Sequence, residues 1–220
     1  MSESEEKYIS PTPLIEILRN VCADVLHLGK QEDAHEFLIM FLEDLIKASF
    51  NYQKKLPPKV LNTSSIARFF AGTYLSEVEC MTCHNASRTQ QQFLDLNLEI
   101  QEKQSFYECL KSFFQEEILD GNNLYKCPNC NKLSRAVKRT AIEHAPLNLI
   151  IQFKRFTNYG IKIKKDIAYP LHFDLNDFLY KQQGKPPLQF ELKYELYGVL
   201  IHDGHFAYRG HYYCFLKGRD

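Results

Sequence analysis

Two cysteine pairs of identical spacing constrain this chain more than any other feature. Cys80-Met81-Thr82-Cys83 and Cys127-Pro128-Asn129-Cys130 are both C-x-x-C, with 43 residues between them. Each pair sits at the end of a strand candidate, where a tight turn directs two sulfurs at one point. Two such turns supply four thiolates, the closed tetrahedral shell of a structural zinc site. Cys80, Cys83, Cys127 and Cys130 are therefore the predicted ligands of one zinc ion. The long separation means that the ion joins two hairpins distant in sequence. Four thiolates leave no open coordination position, so the predicted role is structural. His84 adjoins the first pair and is read as exposed, outside the ligand set. His35-Glu36 is not a zincin motif, because the second histidine position holds Ile39.

The chain has seven cysteines, an odd number, and residues 1–10 are acidic and polar, the reverse of a secretory signal. Both features point to a reducing, intracellular setting, cytoplasm or nucleus. The 27 Lys+Arg balance the 27 Asp+Glu, which argues against a chain-wide cationic nucleic-acid binder. No apolar run reaches the ~18 residues of a membrane span. The 16 Phe and 13 Tyr give ample apolar surface to bury and exclude a disordered chain. Charge is uneven, however: residues 1–50 carry a net −6, and residues 126–165 a net +9. Long apolar strands interrupt the basic stretch, so it is read as solvated strand faces, with a surface for an acidic partner or nucleic acid as the weaker reading.

Periodicity divides the chain. Leu14, Ile17, Leu18, Val21, Cys22 and Val25 fall on one helical face, with Thr12 as a cap and Pro13 in the first turn. Ala34, Phe37, Leu38, Phe41, Leu42 and Leu45 repeat the spacing after Gly29, which predicts a packed helix pair. Residues 51–66 read as a loop. The period then changes to two: Leu94, Leu96, Leu98 and Ile100 alternate with Asp95, Asn97 and Glu99, with Tyr74-to-Glu79 as a partner strand. A short helix is predicted over 105–115. Strands are predicted over 133–142, 147–156, 161–169, 194–201 and 211–217, with a hairpin turn at Asn158-Tyr159-Gly160 and a loop at 181–187. Helices followed by mostly antiparallel strands make an α+β fold. His211 stands beside Gly210 at the start of the last strand, placed for general base work, although composition alone favours a satisfied structural histidine.

Six blocks resemble the ubiquitin-specific proteases, in that family's order. They are Gln31-Glu32-Asp33-Ala34-His35-Glu36-Phe37-Leu38, the two C-x-x-C pairs, Phe153-Lys154-Arg155-Phe156, Tyr194 through His202, and Gly210-His211-Tyr212-Tyr213. The resemblance spans about residues 10–217. It implies a papain-like cysteine deubiquitinase shaped as a hand. Residues 1–9 would be a polar tail, 10–60 the thumb helices and loop, 66–145 the fingers with the zinc knuckles, and 146–220 the palm.

The resemblance makes His211 the general base and Asp33, Glu36 and Tyr212 contacts of the ubiquitin tail, with His202 and Gly210 shaping the site. A carboxylate on the tail's arginines is a charge-assisted contact, and alanine at Asp33 is expected to leave the fold intact. The family's nucleophile lies in a Gly-Asn-Thr-Cys block upstream of the Gln31 helix, which this sequence does not contain. Cys22 lies on the apolar stripe and is read as core. The third triad member is expected well over ten residues after the histidine, and Asp220 lacks its context. Cys214 is read as a buried strand cysteine. The expected partner is ubiquitin or ubiquitinated protein. Two readings follow: a deubiquitinase domain, truncated at both ends, whose cysteine block lies elsewhere, or a short binding protein that holds ubiquitin without hydrolysis.

Overall fold

The computed structural model describes residues 10–21, 30–53, 56–180 and 192–218. The expectations for Cys22, Asp220 and the 181–187 loop lie outside these residues. In chain order the helices are α1 (Thr12–Val21), α2 (Ala34–Ala48), α3 (Pro58–Leu61), α4 (Ser65–Phe70) and α5 (Phe106–Phe113). The strands are β1 (Gly72–Cys80), β2 (Ala86–Phe93), β3 (Asp95–Glu99), β4 (Glu117–Leu119), β5 (Tyr125–Lys126), β6 (Leu133–Ser134), β7 (Ala136–His144), β8 (Ile150–Lys154), β9 (His172–Asp174), β10 (Lys193–Glu195), β11 (Gly198–Phe206) and β12 (Arg209–Leu216).

Strict alternation on β3 builds the core. Leu96, Leu98 and Ile100 are fully buried, while Glu99 between them is exposed. Phe93, Phe106, Cys109, Leu110, Ile142, Ile167 and Leu175 complete the cluster. Helix α5 lies on β3 and is started by Ser105, whose hydroxyl accepts from the Glu108 N–H. The Glu108 carboxylate in turn accepts from the Gln104 N–H at 2.8 Å. The first contact satisfies one of the amides that a helix start leaves unpaired, and the second ties Gln104, just before the cap, to the first turn.

A four-stranded antiparallel sheet runs in the order β2-β1-β7-β4. Gly72 is required where β1 meets β2, because a Cβ there would stand 2.2 Å from the Phe93 ring. Ion pairs cross this sheet: Arg88–Glu77 at 2.6 Å, Arg139 to both Glu79 (2.9 Å) and Glu116 (2.6 Å), and Lys138–Glu117 at 3.1 Å. Lys154 likewise meets Glu99 at 2.7 Å. Three bases of the 126–165 stretch, Lys138, Arg139 and Lys154, therefore meet carboxylates of neighbouring segments.

Several expectations change. β3 pairs in parallel with β8, and β1 pairs instead with β2 and β7. β2, with the sequence Ala-Ser-Arg-Thr-Gln-Gln-Gln-Phe, was not expected as a strand, because it carries no apolar alternation. Residues 161–169 form isolated bridges rather than a strand. Residues 51–66 contain α3 and the start of α4, which Ser64 caps through the Ala67 N–H. Helix α2 buries Leu42 and Ile46 and lies against α4. The described part of the α1 stripe is not buried as a packed pair requires: Leu14 is 51% and Ile17 60% exposed.

Candidate functional site

The two cysteine turns are built alike. The Cys80 N–H donates to the Asn85 carbonyl, and the His84 N–H donates back to the Cys80 carbonyl. At the second turn the Cys127 N–H donates to Lys132, and the Asn131 N–H donates back to Cys127. His84 and Asn131 occupy the same place in each turn, and both adopt positive φ, 55° and 56°. This shared geometry brings the four sulfurs within 4.8 Å of one another. The Cys83–Cys127 and Cys80–Cys130 sulfurs stand 3.7 and 4.0 Å apart. Zinc–sulfur bonds of ~2.3 Å in a tetrahedron require sulfur separations of about 3.8 Å, so the cluster fits zinc. The backbone N–H of Cys83 lowers the Cys80 thiol to about 6, and the Asn129 amide lowers Cys83. Both effects favour the thiolate form that binds metal, while at Cys127 the Cys130 N–H lowers the thiol but burial and the neighbouring Cys83 and Cys130 sulfurs leave it raised. His84 points away and pairs with Glu79 at 3.6 Å.

A second constellation forms where the start of α2 meets the β11–β12 ribbon. Asp33 is the N-cap of α2, its Oδ1 accepting from the His35 N–H (2.7 Å) and the Glu36 N–H (3.1 Å). The Glu36 side chain is exposed. His35 reaches the other way, its Nε2 2.7 Å from Asp95 Oδ2, and ties α2 to the start of β3. Gln31 Oε1 accepts from the Gly210 N–H at 2.9 Å. Burial raises the Tyr212 phenol, the Asp33 charge raises it further, and the Ala34 N–H opposes both.

His202 stands opposite Tyr212 in the ladder, its ring between Phe156 and Tyr212 at centroid distances of 5.3 and 4.9 Å. Burial lowers its basicity, and the Lys162 ammonium, which donates to the His202 carbonyl, lowers it further. Its Nδ1 is buried and finds no hydrogen-bond partner among the described residues. Gly210 must be glycine, since a Cβ would stand 2.2 Å from His202 Nε2. His211 is exposed and lies opposite Asp203.

The structure thus brings Asp33, His202, Gly210 and Tyr212 to one place, with His211 between the last two. It gives Asp33 a capping duty that the sequence reading did not. Alanine there removes a helix cap worth about 0.5–2 kcal/mol, so the expectation of an undisturbed fold is corrected. Gln31, His35, Asp95 and Asp203 were missed. The approach of Asp203 to His211 was detectable by counting back across a hairpin turn; the Gln31 contact, across 179 positions, was not. Cys109 is buried in the core, and Cys214 is exposed instead of buried. Cys214 lies three residues along β12 from His211, so alternation turns it to the other face.

The family model described as Ubiquitin carboxyl-terminal hydrolase matches residues 1–220. Human Ubiquitin carboxyl-terminal hydrolase 42 is 37% identical over 213 residues, 96% of this chain and 16% of that protein. Ubiquitin carboxyl-terminal hydrolase 25 of Arabidopsis thaliana is 37% identical over 201 residues, 90% of this chain and 30% of that protein. Among solved structures, the SAGA Ubp8/Sgf11/Sus1/Sgf73 DUB module bound to ubiquitin aldehyde is similar with a TM-score of 0.76 and 29% identity. That match covers 93% of this chain and 45% of the other, so the chain spans under half the length of these relatives. The family match covers every residue, and the mixed α/β architecture agrees with it: the chain belongs to the ubiquitin carboxyl-terminal hydrolase family, with the fold of its ubiquitin-specific proteases.

Proposed function

We propose that this chain recognises ubiquitin and carries the general-base side of a deubiquitinase site. The observation that carries this reading is the seating of Gln31–Ala34 against Gly210–Tyr212, with His211 exposed between two held neighbours. A solved relative in the ubiquitin-bound state supports it. In this reading α1 and α2 are thumb, the four-stranded sheet and its cysteine turns are fingers, and the β11–β12 ribbon is palm. Asp33, Glu36 and Tyr212 contact the ubiquitin tail, and His202 with Gly210 shapes the floor of the groove. Zinc, held by Cys80, Cys83, Cys127 and Cys130, supplies a structural cross-link between the two turns. The free thiols suit an intracellular setting.

Hydrolysis after the last glycine of ubiquitin needs a thiol for His211 to activate and an imidazolium to protonate the departing amine. Among the described residues no cysteine faces His211, and a second reading, a ubiquitin- or partner-binding module without catalysis of its own, stands beside the first. Calorimetry with ubiquitin tests recognition. Asp33→Asn keeps the cap but removes the charge. A lost charge-assisted contact is worth roughly 1.5–3 kcal/mol, so affinity should fall about tenfold or more. No binding by the parent chain, or an unchanged Kd in the variant, would refute the assignment.

A further inference from the structure

We infer that Gln31 is the positioning residue for His211, holding the strand from which the imidazole projects. This rests on the reading of His211 as the general base and adds the group that fixes it. The ladder between β11 and β12 is regular from Gly198↔Leu216 to Asp203↔His211, then shifts before resuming at Phe206↔Arg209. Gly210 lies within that shift and has no register partner on β11. Two β11 residues, Gly204 and His205, stand opposite Gly210 alone, and the ladder's hydrogen bonding is disrupted at such a bulge. Gln31 supplies the Gly210 N–H with an acceptor from outside the ribbon, 2.9 Å away.

Gly210 is held from a second direction. The His202 ring fills the space where a Cβ would stand, and Phe156 and Tyr212 hold that ring. On the far side of His211, the Ala34 N–H acts on the Tyr212 phenolic oxygen. Gly210 is therefore tied to, and Tyr212 lies beside, the segment Gln31–Ala34 at the start of α2. The His211 side chain makes no hydrogen bond among the described residues, so the direction of its imidazole is inherited from the strand. Gln31 is exposed. Its loss lets water reach the Gly210 N–H, and the change stays local.

The test is NMR on the full chain with two variants. Gln31→Met keeps the side-chain length and deletes the acceptor; Gln31→Glu keeps an acceptor at the same reach. Gly210 amide exchange should accelerate about five- to tenfold in Gln31→Met, the expected effect of losing one hydrogen bond. The His211 ring signals should shift and gain mobility, while the amides of Leu98 and Leu110 keep their protection. Gln31→Glu should restore both Gly210 and His211. Unchanged His211 signals in Gln31→Met, or no rescue by Gln31→Glu, would overturn the proposal. Failure to bind ubiquitin would refute the functional reading alone, since none of these signals depends on ubiquitin.

Discussion

The basicity of His202 is lowered because its ring is shielded and Lys162 stands beside it, while Asp33 and Asp203 pull in the opposite direction. A base whose native pKa is depressed takes up protons more readily when the chain unfolds. The unfolded state then binds more protons below the ordinary histidine pKa of about 6.5, so stability falls as pH drops through that value. The contribution is fully present above it and continues to decline until the native ring also protonates. His202→Phe keeps a planar ring and removes the titration. Denaturant unfolding between pH 8 and pH 5 should show a steeper loss for the parent than for the variant. Parallel stability curves would count against a shielded His202 of lowered basicity; the other seven histidines contribute equally to both proteins.

At the scale of elements, the two cysteine turns carry the most consequence. Each already has its backbone hydrogen bonds, so the metal is left to fix one turn against the other. Binding to such a site contributes on the order of 10 kcal/mol of apparent free energy. Cys127→Ser, or removal of zinc by a chelator, should loosen β5, β6 and the adjoining ends of β1 and β7, and leave the α5–β3 core protected. Hydrogen exchange reads this directly, and metal analysis should return one zinc per folded chain. Protein that is folded and metal-free in these strands would contradict the assignment. The turns were legible because metal chemistry demands a fixed spacing. The alternation of β3 and the stripe of α2 were legible because each has one buried face. β2 was not, since its register comes from backbone pairing with β1 and its side chains are largely polar. The parallel partner of β3 was equally hidden, as alternation does not specify which strand lies alongside. The candidate site was half legible: Gly210, His211 and Tyr212 stand in one motif, whereas Gln31 reaches them only through the fold.

For the whole molecule the question is whether the assembled site can react. A ubiquitin derivative with a thiol-reactive C-terminus should bind this chain without covalent capture, because no described cysteine faces His211. Loss of a catalytic nucleophile lowers the rate by about 10⁶-fold in a comparable serine enzyme. Intact mass after incubation should therefore equal that of the parent chain. A covalent adduct at Cys22 that disappears in His211→Ala would reverse this expectation.

The four-stranded sheet ends on one side at β2, where Arg88, Thr89, Gln90 and Gln91 lie along an outer strand. A strand at the margin of a sheet offers unpaired amides and carbonyls to any other chain, and apolar margins recruit further strands into aggregates. Gln90 instead bonds the Glu143 carboxylate, and Arg88 is drawn back onto Glu77. Charge and amide groups along this margin make stacking of another sheet unfavourable. The polarity that hides the strand from a periodicity reading discourages chains from joining edge to edge.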